Sequence, residues 1–591
     1  MRFPIKKHMK KLSRLYSITL ILTLSLSHHL AFSQNKVGLG VANPEARLHI
    51  KGVDNISQLC IDADTQQTNL YPLIRLRKSD GTDLMWINTD HPSDLFMGLN
   101  TGRVNVSNPL GSNNTFLGAN AGYSNTVGIN NTAVGKESLN ANIGGNDNTA
   151  LGSSALGDNE SGNENTAIGA ASLFANTSGT RNTAIGYGTL FFSTSASDLT
   201  AVGHGSLEYN TSGTRNSAVG SNSLTFNTTG NDNTAVGYRS LWHNTTGVSN
   251  TAIGTSALGA NTTGDLNTAI GGGAMENNTT GDDNTAIGRS TLNHNSTGIR
   301  NTALGGAALT FNTNGQRNTA CGHYALHFNS LGNYNSAIGN EALYNNTTGS
   351  GNAAFGYQTL YNNTTQIQNT AFGNESLINT TANGNTALGF LAGHDFDNGD
   401  WNTFLGIYAD ANAAGYTNST AIGNLTEVTA SNQVRIGAGV TSIGGPQNWT
   451  NTSDRRIKVN IKADVPGIAF INLLQPVTYN KSIALEEEII GKKKVNGISP
   501  DNPYETLRYS GFIAQDVEAA AQSIGYEFSG VDAPQNDKSL YGLRYAEFVV
   551  PLVKAVQELT NQNVLLQAEI ELLKTQFASL QSEITSLKVG K

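Results

Sequence analysis

Between Asn114 and Ser419, short apolar pairs interrupt a polar, glycine-rich background at an interval of 17 residues. Units open at Asn114, Asn131, Asn148, Asn165 and Asn182, and Leu199 takes the Asn place without changing the count. The register runs on from Asn216 to Asn369, loses one residue before Asn385, and resumes at Asn402 and Ser419. Nineteen starts at one period predict a repeat architecture. The consensus is Asn-Thr-Ala-Ile-Gly-x-x-Ser-Leu-x-x-Asn-Thr-Thr-Gly-x-x, as in Asn233 to Ser249. Thr-Ala-Ile/Val and Ser-Leu read as short β segments, and Asn-Thr-Thr-Gly as a turn. A unit this short, with two Gly, excludes a helical hairpin, so each is one coil of a β-solenoid over residues 114–440. Coils stacked at the strand spacing of roughly 4.8 Å would extend about 90 Å.

Within a coil the adjacent Ala and Ile must point to opposite faces. The expectation is that Ile or Val, with the later Leu (Ile253 and Leu258, for example), fills the interior, while a line of small Ala outside suits close contact with another chain. One coil buries too little alone, so stacking and trimerisation would supply the rest. The recurring Asn and Thr predict hydrogen-bonded ladders, and this reading is preferred to glycosylation of the many Asn-x-Ser/Thr triplets. The pattern is similar to the head repeats of trimeric autotransporter adhesins, which iterate an Ala-Ile-Gly core. Their shorter period and their membrane anchor are absent here, so the resemblance implies a rod and no more.

The first 33 residues have the layout of a signal peptide: Lys6, Lys7, Lys10, Lys11 and Arg14, then the apolar Ile18 to Leu26, then Ala31-Phe32-Ser33 before Gln34. This predicts a secreted or cell-surface protein with no transmembrane segment once the signal is removed. An uncleaved anchor is the alternative, but the apolar run falls short of the roughly 20 residues of a span. Residues 34–113 read as an N-terminal β head. Val37 to Ile50 resembles the opening segment of bacterial and phage fibre proteins, and Leu59 to Val106 alternates around an Asp80-Gly81 turn.

The 65 Gly and 14% charged residues follow from the repeat, and a net charge of -8 without a long basic block argues against nucleic acid as a partner. Lys492 to Lys494 reads as a solvated loop. Two cysteines, Cys60 and Cys321, are too few and too distant to suggest a disulfide framework, and Cys321 stands where other units have Ile or Val. No metal or phosphate-loop motif occurs, so no cofactor and no metal is expected.

Near Ser442 the glycine rhythm stops, which marks residues 441–551 as a separate domain. It contains, in order, Asn451-Thr452-Ser453-Asp454-Arg455-Arg456-Ile457-Lys458, Leu473-Leu474-Gln475-Pro476-Val477-Thr478-Tyr479-Asn480, Gly511-Phe512-Ile513-Ala514-Gln515-Asp516-Val517-Glu518 and Leu543-Arg544-Tyr545. This set resembles the intramolecular chaperone of endosialidase, the peptidase S74 family at the ends of phage tail spikes. The resemblance implies an α+β domain that trimerises, guides assembly of the fibre before it, and then cuts itself off in a single turnover. It also implies Ser453 as nucleophile, Lys458 as general base and Thr452-Ser453 as the scissile bond.

A Ser hydroxyl needs such a base, and the neighbouring Arg455 and Arg456 would help to keep a Lys neutral. Residues five apart are not neighbours on a regular strand or helix, so a turn through Asp454 to Arg456 is required. Without the resemblance, Ser453 would read as a loop cap and Lys458 as a surface charge. Gln515, Asp516 and Glu518 read as structural, and Tyr545 and Pro551 as setting the approach to the last helix.

Residues 552–591 carry a heptad seam: Leu552, Val556, Leu559, Asn563, Leu566, Ile570, Leu573, Phe577, Leu580, Ile584 and Leu587. It predicts a coiled coil with Asn563 setting register; a helix packed on its own chain is the alternative. The fold class is thus mainly β, a solenoid followed by an α+β domain and a coiled coil. Three functions compete: a homotrimeric fibre with a self-cleaving module, an adhesin with the module retained, and an enzyme acting on polysaccharide. For the last, the irregular coil Asn402 to Asn418 is the place to look. A cell-surface receptor or glycan is the other partner considered.

Overall fold

The computed structural model describes residues 30–33, 36–39, 48–50, 61, 72–89, 91–105, 113–438, 443, 451–491 and 506–589. Most of the signal segment, part of the fibre-like opening motif, Cys60 and Lys492 to Lys494 lie outside them. The chain forms two compact units, Met1–Ser161 and Gly162–Lys591.

In the first unit, β1 (Leu30–Ser33) runs antiparallel to β2 (Lys36–Leu39), which pairs in parallel with β3 (Leu48–Ile50). β4 (Ile74–Arg77) and β5 (Asp83–Asn88) form the hairpin expected around Asp80-Gly81, with the Asp80 carboxylate accepting the Thr82 N–H at 2.9 Å. β6 (Leu95–Met97) is antiparallel to β5 on one edge and parallel to Thr115–Leu117 on the other. The hairpin therefore leads into the repeat ladder, which continues through Thr132–Val134 and Thr149–Leu151.

In the second unit the ladder comprises three-residue parallel strands from Thr166–Ile168 to Val434–Ile436. Each residue pairs with its equivalent one coil on, as Thr251, Ala252 and Ile253 pair with Thr268, Ala269 and Ile270. The register survives the shortened coil, where Thr370 faces Thr386.

The two strand positions are exchanged relative to the expectation, whereas the later Leu is interior as expected. Ala252 is fully buried, while Ile253 is 39% exposed. The repeated Ala lines the core together with Leu258 and its equivalents, and the β-branched residue points out. Volume explains the inversion. Leu already fills the small cross-section opposite the strand, leaving room for a methyl group only. Where Phe116 replaces Ala, Gly122 replaces Leu, and a Cβ on Gly122 would sit 2.4 Å from the Phe116 ring.

Two Asn ladders complete the core, as expected. Asn233 is fully buried: its N–H donates to Asn216 Oδ1 at 2.9 Å and its Nδ2 to the Gly247 carbonyl at 2.8 Å. Asn244 Nδ2 donates to Asn227 Oδ1 at 2.8 Å and to the same Gly247 carbonyl at 2.9 Å. Buried amides in a dry interior must find such partners. Asn244, the acceptor of an Asn-Thr-Thr triplet, is fully buried, which removes it from any glycosylating enzyme in the folded state.

Beyond the ladder, the second unit contains a small α/β region. It has α1 (Ile468–Ile471), α2 (Ile483–Ile490), α3 (Ala514–Ser523) and a strand Val477–Tyr479 antiparallel to Tyr509–Gly511. Its core is Phe470, Val517, Ala521 and Phe548, with Phe512, Tyr526 and Phe528 packed against it. Phe470 and Phe528 lie 5.0 Å apart between ring centres, and Phe528 and Phe548 4.8 Å.

The chain ends in α4 (Val549–Val589). Pro551 sits buried in its first turn, where the missing N–H costs nothing. From Leu559 onward the seam residues are exposed, Leu566 at 53% and Ile570 at 49%, so the helix does not pack on its own chain there. No helix among the described residues is long and apolar enough to cross a membrane.

Candidate functional site

The segment that carries Ser453 and Lys458 is a single tight turn. Asp454, extended at φ -76°, caps a 3-10 helix over Arg455–Ile457, and its carboxylate accepts the Arg456 N–H at 2.8 Å. The same carboxylate holds the Arg456 guanidinium through Nη2 at 2.6 Å. The Lys458 N–H then closes the turn on the Arg455 carbonyl at 3.2 Å. This folds five residues back on themselves, and Lys458 Nζ donates to Ser453 Oγ at 2.6 Å. Hydrogen bonding from Arg456 holds the Asp454 carboxyl below its ordinary range, so it stays charged and committed to Arg456 rather than to Lys458.

The turn buries none of its own residues. Ser453 and Lys458 are exposed, and so is Thr452 before them. Ile457, Val459 and Ile461 are also bare, at 64%, 80% and 63% exposed. Three apolar side chains beside a charged pair form a surface that water covers at a cost. The alternation Ile-x-Val-x-Ile is present in the sequence at these positions.

The other motif residues build the domain rather than the turn. Tyr545 accepts the Phe512 N–H at 3.1 Å and stacks against Phe548 at 5.8 Å. Glu518 accepts the Tyr541 hydroxyl at 3.0 Å, Asp516 lies exposed in the first turn of α3, and Arg544 pairs with Asp532 through Nε at 3.1 Å. Contacts also tie the domain to the last coils. Asn412 Nδ2 donates to the Ile490 and Lys538 carbonyls at 3.0 and 3.1 Å, Asn536 Nδ2 to Tyr416 Oη at 2.8 Å, and Arg435 faces Glu486 at 3.7 Å.

The irregular coil holds one feature that sequence reading missed. Asp410 is buried and pairs in register with Glu427, and its carboxylate accepts the N–H groups of Asp395 and Ala411 at 2.9 and 2.8 Å. Burial pushes its carboxyl up to about 7, against those two hydrogen bonds, with Asp395 and Glu427 adding to the rise. The near-coil spacings that stack the three acids were the available signal. Asp410 is an interior residue closed in by its own backbone, unlike a glycosidase carboxylate, which must face a bound sugar. Among the described residues no group of three or more His, Cys, Asp or Glu could hold a metal ion.

Comparison with known families matches residues 453–526 to the peptidase S74 family, the chaperone of endosialidase. The match begins on Ser453 itself. No curated protein matches the chain.

Proposed function

We propose that this chain is an exported fibre or adhesin-like protein whose S74 domain directs homotrimer assembly of the solenoid and then severs the chain between Thr452 and Ser453. The single observation that carries the reading is the 2.6 Å contact of Lys458 Nζ with Ser453 Oγ, made across a turn capped by Asp454. Ser453 Oγ attacks the Thr452 carbonyl carbon while Lys458 takes the hydroxyl proton. The tetrahedral intermediate collapses by breaking the Thr452–Ser453 C–N bond, and Lys458 returns its proton to the departing Ser453 amine. Water then hydrolyses the resulting Thr452 ester, leaving a carboxylate on Thr452 and a free Ser453 hydroxyl.

To act as a base the Lys458 amine must be neutral, and taking water away from an amine favours the neutral form. The bare turn with its three apolar neighbours supports the idea that a second chain closes over it. Cleavage would then follow assembly. Export rests on the signal-like first 33 residues, and a receptor or glycan partner belongs to the same reading.

The test is a denaturing gel of the wild type beside Ser453→Ala and Lys458→Gln. The wild type is expected to yield a fragment whose first residue is Ser453, and both variants only the full chain. If the wild type also runs intact after it has assembled, self-cleavage is wrong and the module is retained. Mass spectrometry of the mature protein distinguishes a carboxyl end at Thr452 from one at Lys591.

A further inference from the structure

In every coil strand of the second unit, from Thr166–Ile168 to Val434–Ile436, the outward third residue is Ile, Val, Leu, Phe or Cys. Every other outward side-chain row admits charge or polarity: Arg181, Asp198, Arg215 and Asp232 succeed one another in one of them. Ten residues of the apolar row, Ile185 and Phe372 at the extremes, are between 36% and 56% exposed. Together they present on the order of 700 Å² of apolar surface, above the roughly 300–600 Å² patch of a typical monomer and near the ~800 Å² per partner of a stable interface.

We infer that this row is the seam along which identical chains join, parallel and in register, about an axis running beside it. The inference rests on the assembly reading and adds to it the contacting surface. A second copy is the occupant that fits. Its own row has the same coil-to-coil spacing, so the two ribbons match over their whole length. Side-chain size varies along the row, from Val202 and Cys321 to Phe355 and Phe372, and only in-register copies meet like with like. A displaced register would set Phe355 or Phe372 against smaller Ile, Val or Cys and leave unfilled space beside them. The exposed stripe of α4 in the same unit needs the same parallel companion.

Register places Cys321 of one chain beside its own counterpart, and a disulfide forms when two Cα atoms come within about 4.4–6.8 Å. The experiment uses the full chain as Ser453→Ala with Cys60→Ser, oxidised and run on a non-reducing gel, with sedimentation in parallel. A covalent dimer through Cys321 is expected, lost in Cys321→Ser and restored by Ile253→Cys in that background. Thr246→Cys, on an exposed polar row of the same coils, should give none. An oligomer in sedimentation with no cross-link from Cys321 or Ile253→Cys overturns the seam and leaves assembly standing. A monomer overturns both.

Discussion

At the scale of single residues, the ladder depends on positions where no side chain is tolerated. Gly254 has a φ of +136°, and a Cβ there would lie 2.6 Å from the Gly271 carbonyl. Gly254→Ala should cost roughly 2–3 kcal/mol locally, from backbone strain and from the parting of two coils. Hydrogen exchange in the flanking coils should rise accordingly. Gly272→Ala, with nothing within 4 Å, is the control and should change little.

Asp410 gives a pH signature of definite sign. Its folded value, about 7, lies above the unfolded one, so the folded chain holds a proton that the unfolded chain releases near pH 4. Stability is greatest below the unfolded value and declines as pH rises toward 7, where the folded group also ionises. Asp410→Asn should flatten the dependence of the melting temperature between pH 5 and 8 and leave the variant more stable at pH 8. An unchanged slope would remove Asp410 as its source.

At the scale of elements, the coil and its period were legible because they are written locally, in one Asn, one strand and one turn per unit. Which face of the strand is interior was not. Alternation says only that Ala252 and Ile253 oppose each other; the answer depends on the volume left by Leu258 across the coil. The exchange of Ala and Leu for Phe116 and Gly122 held that information in the sequence. The Ser453 turn was legible only as a requirement that two side chains meet, and the cap by Asp454 and Arg456 that makes them meet is a three-dimensional detail.

The last helix was legible as a helix over its described length, since its seam keeps one heptad spacing even through Asn563. Its exposed Ile570 predicts that Ile570→Asp leaves the isolated chain unaffected yet weakens self-association at least about tenfold, given roughly 1.5–3 kcal/mol for burying such a side chain. Gln567→Asp, off the seam, should not. Sedimentation equilibrium of the uncut chain measures both, and equal weakening would show that charge rather than the seam matters.

At the scale of the whole molecule, the long parallel ladder explains why an assembly element is useful. Parallel stacking joins residues far apart in sequence and leaves open edges while it forms, which makes folding slow and aggregation-prone. A helix that brings chains together first would shorten that exposed interval. Removing it afterwards would leave the assembled chains kinetically trapped.

The contacts of Asn412, Asn536 and Arg435 with the domain would give the proposed removal a second stage. Cutting the bond before Ser453 changes connectivity but leaves these hydrogen bonds and the Arg435–Glu486 pair in place. On the proposed function, the immediate product would therefore be a nicked particle whose two pieces stay together in native conditions, heavier than the uncut one only by the water added at each cut. Its two pieces would part only as fast as these polar contacts let go, and salt should quicken the loss of the Arg435–Glu486 pair. If the chain is cut as proposed, scission and shedding would be separate events on separate clocks, and the first could be complete while the second has barely begun.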